Sequence, residues 1–225
     1  MIEKAIKAIR KGEMILLYDD DDREGETDLV MPAQRVTPMD IVRMRRDGGG
    51  LICVAIHAKA ADMLGLPYMA DILRRVSLNG YKPIGSVVEK NGDIPYDARS
   101  SFSLWINHRN TFTGITDNDR ALTINKIGEA VEKVLKGERI DFGKEFRSPG
   151  HVAVLRAASK LLNERRGQTE LSIQLALMAG ICPSMVVCEM LDGNTGKALS
   201  KEDAKRYAIH HNLSFVEGKE IIASC

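Results

Sequence analysis

Short apolar runs alternate with amphipathic stretches along the whole chain. Ile2, Ala5, Ile6 and Ile9 recur at helical spacing, and Gly12 stands where a C-cap glycine would, predicting a first helix. Met14-Ile15-Leu16-Leu17-Tyr18 is short, continuous and apolar, which predicts a buried strand. Thr37-Pro38 supplies an N-cap and a proline at the first helical position, opening a short helix to about Arg46. Gly48-Gly49-Gly50 then turns the chain into a second apolar strand over 51–56; such a triple glycine is a permissive turn that also lets a ligand approach the backbone. Residues 79–97, rich in Gly, Pro, Asn and charge, read as a connection. Residues 101–106 alternate as a half-buried strand does, and 111–116 read as another β segment. Thr123 is placed to cap a helix with Ile127, Val131, Val134 and Leu135 on its apolar face, closing at Gly137. Residues 147–151 read as a turn leading into the apolar 152–155, and Thr169 as the cap of a helix carrying Leu171, Leu175 and Met178 and ended by Gly180. A buried strand at 185–188 carries Glu189 at its carboxyl end; Ser200 with Asp203 signals a last helix, followed by a short strand near Phe215. This alternation has no linker, repeat or low-complexity tract. It predicts one α/β domain over 1–225, with helices on both faces of a mixed sheet.

The least ordinary stretch follows the first strand. In Asp19-Asp20-Asp21-Asp22-Arg23-Glu24-Gly25-Glu26-Thr27-Asp28, seven of ten side chains are carboxylates. Packing them on one loop costs self-repulsion unless a cation or a positive ligand relieves it. Glu24, Glu26 and Asp28 alternate, and in an extended segment they project from the same side. A second constellation is Arg165-Arg166-Gly167-Gln168-Thr169, just ahead of a helix. Free backbone N–H groups, the positive helix end, a hydroxyl and two guanidinium groups converge there, which suits a phosphate or carboxylate. His151 follows Pro149-Gly150 on a constrained turn, and Glu189 ends an apolar run where burying it unpaired would be costly. His210 and His211 are adjacent on a helix, diverge, and read as surface residues; His57 and His108 have no partner identifiable from the sequence.

Composition narrows the classes. At 225 residues, 44% of them hydrophobic, the chain can bury a sizeable core. A formal net charge of +1 gives no case for nucleic acid or a membrane as partner. Cys53, Cys182, Cys188 and Cys225 form no Cys-x-x-Cys pair, and Cys53 and Cys188 lie in apolar runs where a thiol packs as a small hydrophobe. No apolar run approaches ~18 residues and no signal-peptide pattern opens the chain, so a soluble cytoplasmic protein is expected. Neither a P-loop nor a dinucleotide fingerprint is present; the segment from Gly193 to Lys197 has the wrong spacing. From the residues alone, the expectation is a divalent-metal site of hard oxygen ligands, Mg2+ first, beside an anion pocket for a phosphorylated substrate.

The segment Asp21-Asp22-Arg23-Glu24-Gly25-Glu26-Thr27-Asp28 resembles that of 3,4-dihydroxy-2-butanone 4-phosphate synthases of riboflavin biosynthesis. The resemblance continues in order through Gly49-Gly50-Leu51-Ile52-Cys53, Thr113-Gly114-Ile115-Thr116, Arg147-Ser148-Pro149-Gly150-His151, Arg165-Arg166-Gly167-Gln168-Thr169-Glu170 and Cys188-Glu189, over essentially the whole chain. It is nearest to the archaeal, single-function form. The resemblance implies a three-layer α-β-α sandwich (α/β, or α+β) and a cytoplasmic homodimer with sites near the interface. It also implies conversion of ribulose 5-phosphate to 3,4-dihydroxy-2-butanone 4-phosphate and formate with Mg2+, Mn2+ being the alternative, and with no organic cofactor. By the same resemblance Glu24 ligates metal, Arg23 and Asp28 contact substrate with Thr113, and Arg165, Arg166, Gly167, Gln168 and Thr169 hold the phosphate and neighbouring groups. His151 and Glu189 match positions essential for catalysis, with Glu26 and Asp28 as further proton donors and acceptors. One departure stands out: the family usually carries histidine, a metal ligand, where this chain has Gln168. Glutamine offers a carbonyl oxygen to a hard cation but lacks the basicity of imidazole. Two competing readings follow, a catalytically weakened phosphosugar-binding homologue and a different metal-dependent isomerase on the same fold.

Overall fold

The structure, a computed structural model, describes residues 2–225. Its strands β1 (Ile15–Tyr18), β2 (Thr27–Pro32), β3 (Cys53–Ile56), β4 (Phe102–His108), β5 (Phe146–Arg156), β6 (Ser184–Glu189) and β7 (Ser214–Glu217) join one sheet in the order β4-β5-β3-β6-β2-β1-β7. The sheet is mixed: β3 with β5 and β1 with β7 run parallel, the other neighbours antiparallel. Around it lie α1 (Ile2–Lys11), α2 (Pro38–Arg43), α3 (Ala58–Leu64), α4 (Met69–Leu78), α5 (Asp117–Leu135), α6 (Phe142–Glu145), α7 (Gln168–Ala179), α8 (Lys201–His210) and α9 (Gly218–Ile222).

The period of two along a strand divides the apolar side chains between two cores. Leu16, Val54, Ile56 and Val186 meet Ile41 of α2, Ile124 and Ile127 of α5, and Ala204 of α8. Ile15, Leu17, Ala55, Met185 and Val187 meet Ile9 of α1, Leu171 and Leu175 of α7, and Ile221 of α9. The result is the expected three-layer α-β-α sandwich. Each fully buried Leu or Ile contributes about 1.5–3 kcal/mol of transfer free energy. Because α7 is buried without interruption from Gln168 to Ile173, the sheet fixes its amino end in place.

Several elements differ from their sequence reading, each for a local reason. Residues 111–116 form no strand: Asp119 accepts from the backbone N–H groups of Thr113 (3.1 Å) and Gly114 (2.7 Å), so a side chain takes the donors that a ladder would use. The helix assigned to a Thr123 cap starts earlier, at Asp117, with the Thr116 side chain accepting from Asp119 N–H and two acids in the first turn favouring that end. Thr123 lies inside it and accepts from His108 N–H. The 147–151 turn is instead a bulge in β5, between the Asn107–Arg147 and Ile106–Val152 pairings. Gly150 packs so tightly against the backbone of Ile106 and Asn107 that a Cβ has no room. Helix α7 starts one residue before its expected cap, at Gln168, with Gly167 as the N-cap. Strand β2 and helices α3 and α4 carry no mark in the sequence reading, and the second apolar strand starts at Cys53 rather than at residue 51.

Candidate active site

Strands β1 and β6 run the same way, each antiparallel to β2 between them. Their carboxyl ends, the start of β2 and the amino end of α7 therefore meet at one place. Asp28 and Glu189 are cross-strand neighbours there. Asp28 lies two residues before Val30 and Glu189 two after Val187, so both point to the α7 side of the sheet. A cavity of about 140 Å³ opens at this point, and Glu24, Asp28, Arg165, Gln168, Thr169 and Glu189 all line it.

The acidic loop leaves β1 at Asp19, which is buried and grips the loop from inside. Its two carboxylate oxygens accept from the backbone N–H groups of Glu26 and Glu24, both at 3.0 Å. Glu24 thereby faces the cavity in a crowd of like charges. Burial, then the nearby Asp19 carboxylate, push its carboxyl up to about 7, against the pull of Arg165 and Arg23. Asp28, fully buried in β2, is raised well above the usual range by burial and then by Glu189, and its Oδ1 has no hydrogen-bond partner. Glu26 is also raised, by burial, Glu189 and Asp19; its side chain lies outside the cavity wall, while its backbone carbonyl is used by Gln168.

Glu189 is held by the glycine turn. Leu51 N–H donates to its Oε2 at 2.8 Å, and Gly50 leaves the space that its carboxylate fills. Cys53, at the floor, is buried, and burial followed by Glu189 and Asp28 keep its thiol protonated. On the opposite wall, Gly167 makes room for the Arg165 guanidinium, which a Cβ at that position would strike. Arg165 Nη1 pairs with the buried Glu170 at 2.7 Å, and its Nε lies 2.5 Å from Asp97 Oδ2. Arg23 Nη2 donates to the same Asp97 oxygen at 2.8 Å. Gly167 forms no side-chain cap, so the first amides of α7 have no capping side chain where Thr169 meets the cavity.

Gln168 is buried, and its Nε2 donates to two backbone carbonyls, Leu17 O at 3.1 Å and Glu26 O at 3.0 Å. That fixes the amide: only the nitrogen can face two acceptors. Its Oε1 is then left buried without a partner among the described residues. An orphaned amide oxygen on a residue that lines the same cavity as Glu24, Asp28 and Glu189 fits a hard divalent cation. Among the described residues no three His, Cys, Asp or Glu side chains converge to hold a metal by themselves. Of the lining residues Glu24 and Gln168 could hold such a cation, and a donor set that small suits Mg2+, which keeps waters and substrate oxygens in its sphere.

The sequence-read residues do not all come together within one chain. His151 is exposed on β5, where Asn107 braces it: Asn107 Oδ1 accepts from His151 N–H at 2.8 Å and Asn107 Nδ2 lies 3.0 Å from the ring Nδ1. Thr113 sits on the exposed Asp119-bound loop. Arg166 is exposed and donates to Leu162 O at 3.3 Å. None of the three lines the cavity. Conversely Ile94, Tyr96, Asp97, Arg99 and Ser100, from the stretch around the supposed connection, do line it. The one sequence signal for them was length, since connections this long and irregular are uncommon unless functional.

Known proteins resemble this chain over nearly its whole length. The sequence profile of the family described as 3,4-dihydroxy-2-butanone 4-phosphate synthase matches residues 3–224. A protein of that description from Methanosarcina mazei is 60% identical over 98% of this chain and 89% of its own length. One from Archaeoglobus fulgidus is 58% identical over 98% of this chain and 92% of its own. Among solved structures, a synthase described as in complex with two magnesium ions superposes with a TM-score of 0.78 at 27% identity, over 99% of this chain and 95% of that one. The Candida albicans enzyme superposes with a TM-score of 0.76 at 28% identity, over 99% and 96%. With the profile spanning nearly every residue and archaeal relatives at this identity, the chain belongs to the 3,4-dihydroxy-2-butanone 4-phosphate synthase family.

Proposed function

We propose that this chain converts D-ribulose 5-phosphate to 3,4-dihydroxy-2-butanone 4-phosphate and formate in riboflavin biosynthesis. The observation that carries the reading is the cavity that joins Glu24, Asp28 and Glu189 to Arg165 and to the orphaned Gln168 Oε1. The phosphate would sit at Arg165, Gly167 and Thr169, on the amino end of α7. Glu24 and Gln168 would hold Mg2+, or Mn2+ in its place, which would supply Lewis acidity for the enediol chemistry.

The residues account for the proton traffic. Loss of the C3 proton gives an enediol, loss of the C1 hydroxyl follows, and after skeletal migration a water adds and formate leaves. The water lost in dehydration is regained on hydration and no net oxidation occurs, so atoms and electrons balance without an organic cofactor. Asp28, raised well above the usual range by burial and then by the Glu189 carboxylate across the β2–β6 pairing, is disposed to carry a proton to and from the substrate, with Glu189 as its neighbour at the cavity.

His151 and Thr113 enter the same reading through a homodimer, each reaching the cavity of a second copy. Supporting this, His151 and Thr113 are exposed, and the large apolar side chains near them, Trp105, Phe112 and Ile115, are exposed too, Phe112 to 95%. A cytoplasmic location belongs to the same proposal; no helix among the described residues is long and apolar enough to cross a membrane. Product analysis tests the reading. Formate together with a four-carbon phosphate supports it; a five-carbon isomer points to an isomerase; binding of ribulose 5-phosphate without turnover points to a weakened homologue.

A further inference from the structure

Asp97 stands where the proposed phosphate would be expected to draw its charge partners. Its Oδ2 alone serves two guanidinium groups, Arg23 at 2.8 Å and Arg165 at 2.5 Å, while its Oδ1 accepts from Ala98 N–H at 3.1 Å. All three side chains are largely withdrawn from solvent, with 10% exposure for Asp97 and 13% for each arginine. Yet the match is poor. Among the described residues the buried Arg23 Nε has no hydrogen-bond acceptor, and Arg165 Nε, although 2.5 Å from Asp97 Oδ2, is not aligned to donate to it. A single carboxylate oxygen supplies charge to both guanidinium groups but not acceptors in the directions in which their N–H groups point. A phosphate dianion, with three terminal oxygens and twice the charge, can meet both forks.

The chain bearing Asp97 is built differently from the walls that bear the arginines. Arg165 precedes a core helix and Arg23 follows a core strand, whereas residues 79–100 contain one short 3-10 turn (Lys82–Ser86) and are mostly exposed. Contacts that tie this segment to the rest of the molecule lie away from the sheet: Arg99 to Asp71 at 3.1 Å and over the Tyr68 ring at 3.7 Å, and Arg74 to Glu89 O at 3.0 Å. Asp97 can thus withdraw without breaking the sheet or a helix.

We propose that Asp97 is an internal stand-in for the substrate phosphate, holding Arg23 and Arg165 in the free protein and yielding only to a phosphate group. This makes it a specificity-determining residue: a sugar lacking phosphate has nothing with which to displace it. The proposal rests on the reading of the Arg165–Thr169 region as the phosphate cradle. It is separable from a mere positioning role by sign. If Asp97 competes with phosphate, removing its charge tightens phosphate binding; if it only holds the arginines in place, removal weakens binding.

The test is calorimetric titration of the full chain with inorganic phosphate at low salt, for the unaltered protein, Asp97→Asn and Asp97→Ala, with circular dichroism on each to verify the fold. An internal occupant present about nine-tenths of the time weakens apparent affinity about tenfold, so both variants are expected to bind phosphate about tenfold tighter. Measurable binding by the variants alone supports the proposal equally. Unchanged or weaker binding by folded variants, with the unaltered protein binding phosphate, overturns it and leaves the cradle standing. No binding by any of the three overturns both.

Discussion

Replacing Gln168 with leucine, a side chain of similar size, separates the two tasks that the structure gives this amide. The first task is internal. Nε2 ties Leu17 O at the end of β1 to Glu26 O in the acidic loop, and leucine leaves both carbonyls without that donor. Two buried neutral hydrogen bonds at about 1 kcal/mol each set the gross loss near 2 kcal/mol. Leucine also removes the partnerless Oε1, whose burial costs on the order of 1 kcal/mol, so the net loss in EDTA is about 1 kcal/mol. The second task is ligation. At a Mg2+ concentration one hundred times its dissociation constant, the unaltered protein gains about 2.7 kcal/mol and a variant lacking one of two protein ligands gains little. The gap therefore widens from about 1 to about 3–4 kcal/mol on adding metal. Urea unfolding, followed by circular dichroism with EDTA and with saturating Mg2+, measures both. A variant that gains as much from Mg2+ as the unaltered protein would show that Oε1 is not a ligand. Equal urea midpoints in EDTA would show that the amide does not hold the loop to the strand.

Other consequences can be checked separately. Asp19→Asn turns one of two carboxylate acceptors under the loop into a donor facing an N–H; after allowance for relieved repulsion it should cost about 1–2 kcal/mol in urea unfolding and weaken Mg2+ binding, and unchanged Mg2+ affinity would count against Asp19 as the brace. Asn107→Ala removes both contacts to His151 and should lower kcat on the order of a hundredfold with little change in KM, measured by steady-state formate release; an unchanged kcat would remove His151 from the chemistry or show that it needs no brace. Glu217 answers to pH. Burial pushes its carboxyl up, but Lys219, Lys201 and Lys205, at 2.8, 3.0 and 3.0 Å, bring it down to about 2. A depressed carboxyl adds stability above its unfolded value of about 4.3 and loses it as pH falls toward 2. The advantage of the unaltered protein over Glu217→Gln in urea should accordingly be present at pH 6 and shrink steadily below about pH 4.5; a constant difference across that range would refute the assignment.

The parts of this molecule that were legible in its sequence are those with local causes. Helix α1 shows its period, β1 and β6 show continuous apolar runs, and Ser200 caps α8 as its spacing implies. Strand β2 was hidden because its first residues, Thr27 and Asp28, are polar side chains buried by the site rather than by the core. The loop at 111–116 reads as β because its Thr, Phe and Ile residues favour strands, while the Asp119 carboxylate that takes its N–H groups lies beyond the run. Asp97 had no local mark at all. Its partner Arg23 is 74 residues away in sequence, and only the fold brings the two side chains together. Glu24, Asp28, Arg165, Gln168 and Glu189 were found by charge and motif, and the sheet order explains why they share one cavity. What the family resemblance could not supply is the state of Gln168, whose amide is fixed by two backbone carbonyls.

The most direct test of the account is formate release from ribulose 5-phosphate, with and without added Mg2+, by this protein and by Gln168→His. The account predicts Mg2+-dependent formate from the unaltered chain, with Gln168 Oε1 serving as a metal ligand. Formate from Gln168→His alone would mean that the site is intact and the glutamine disables it. No formate from either protein, both folded, would contradict the synthase reading.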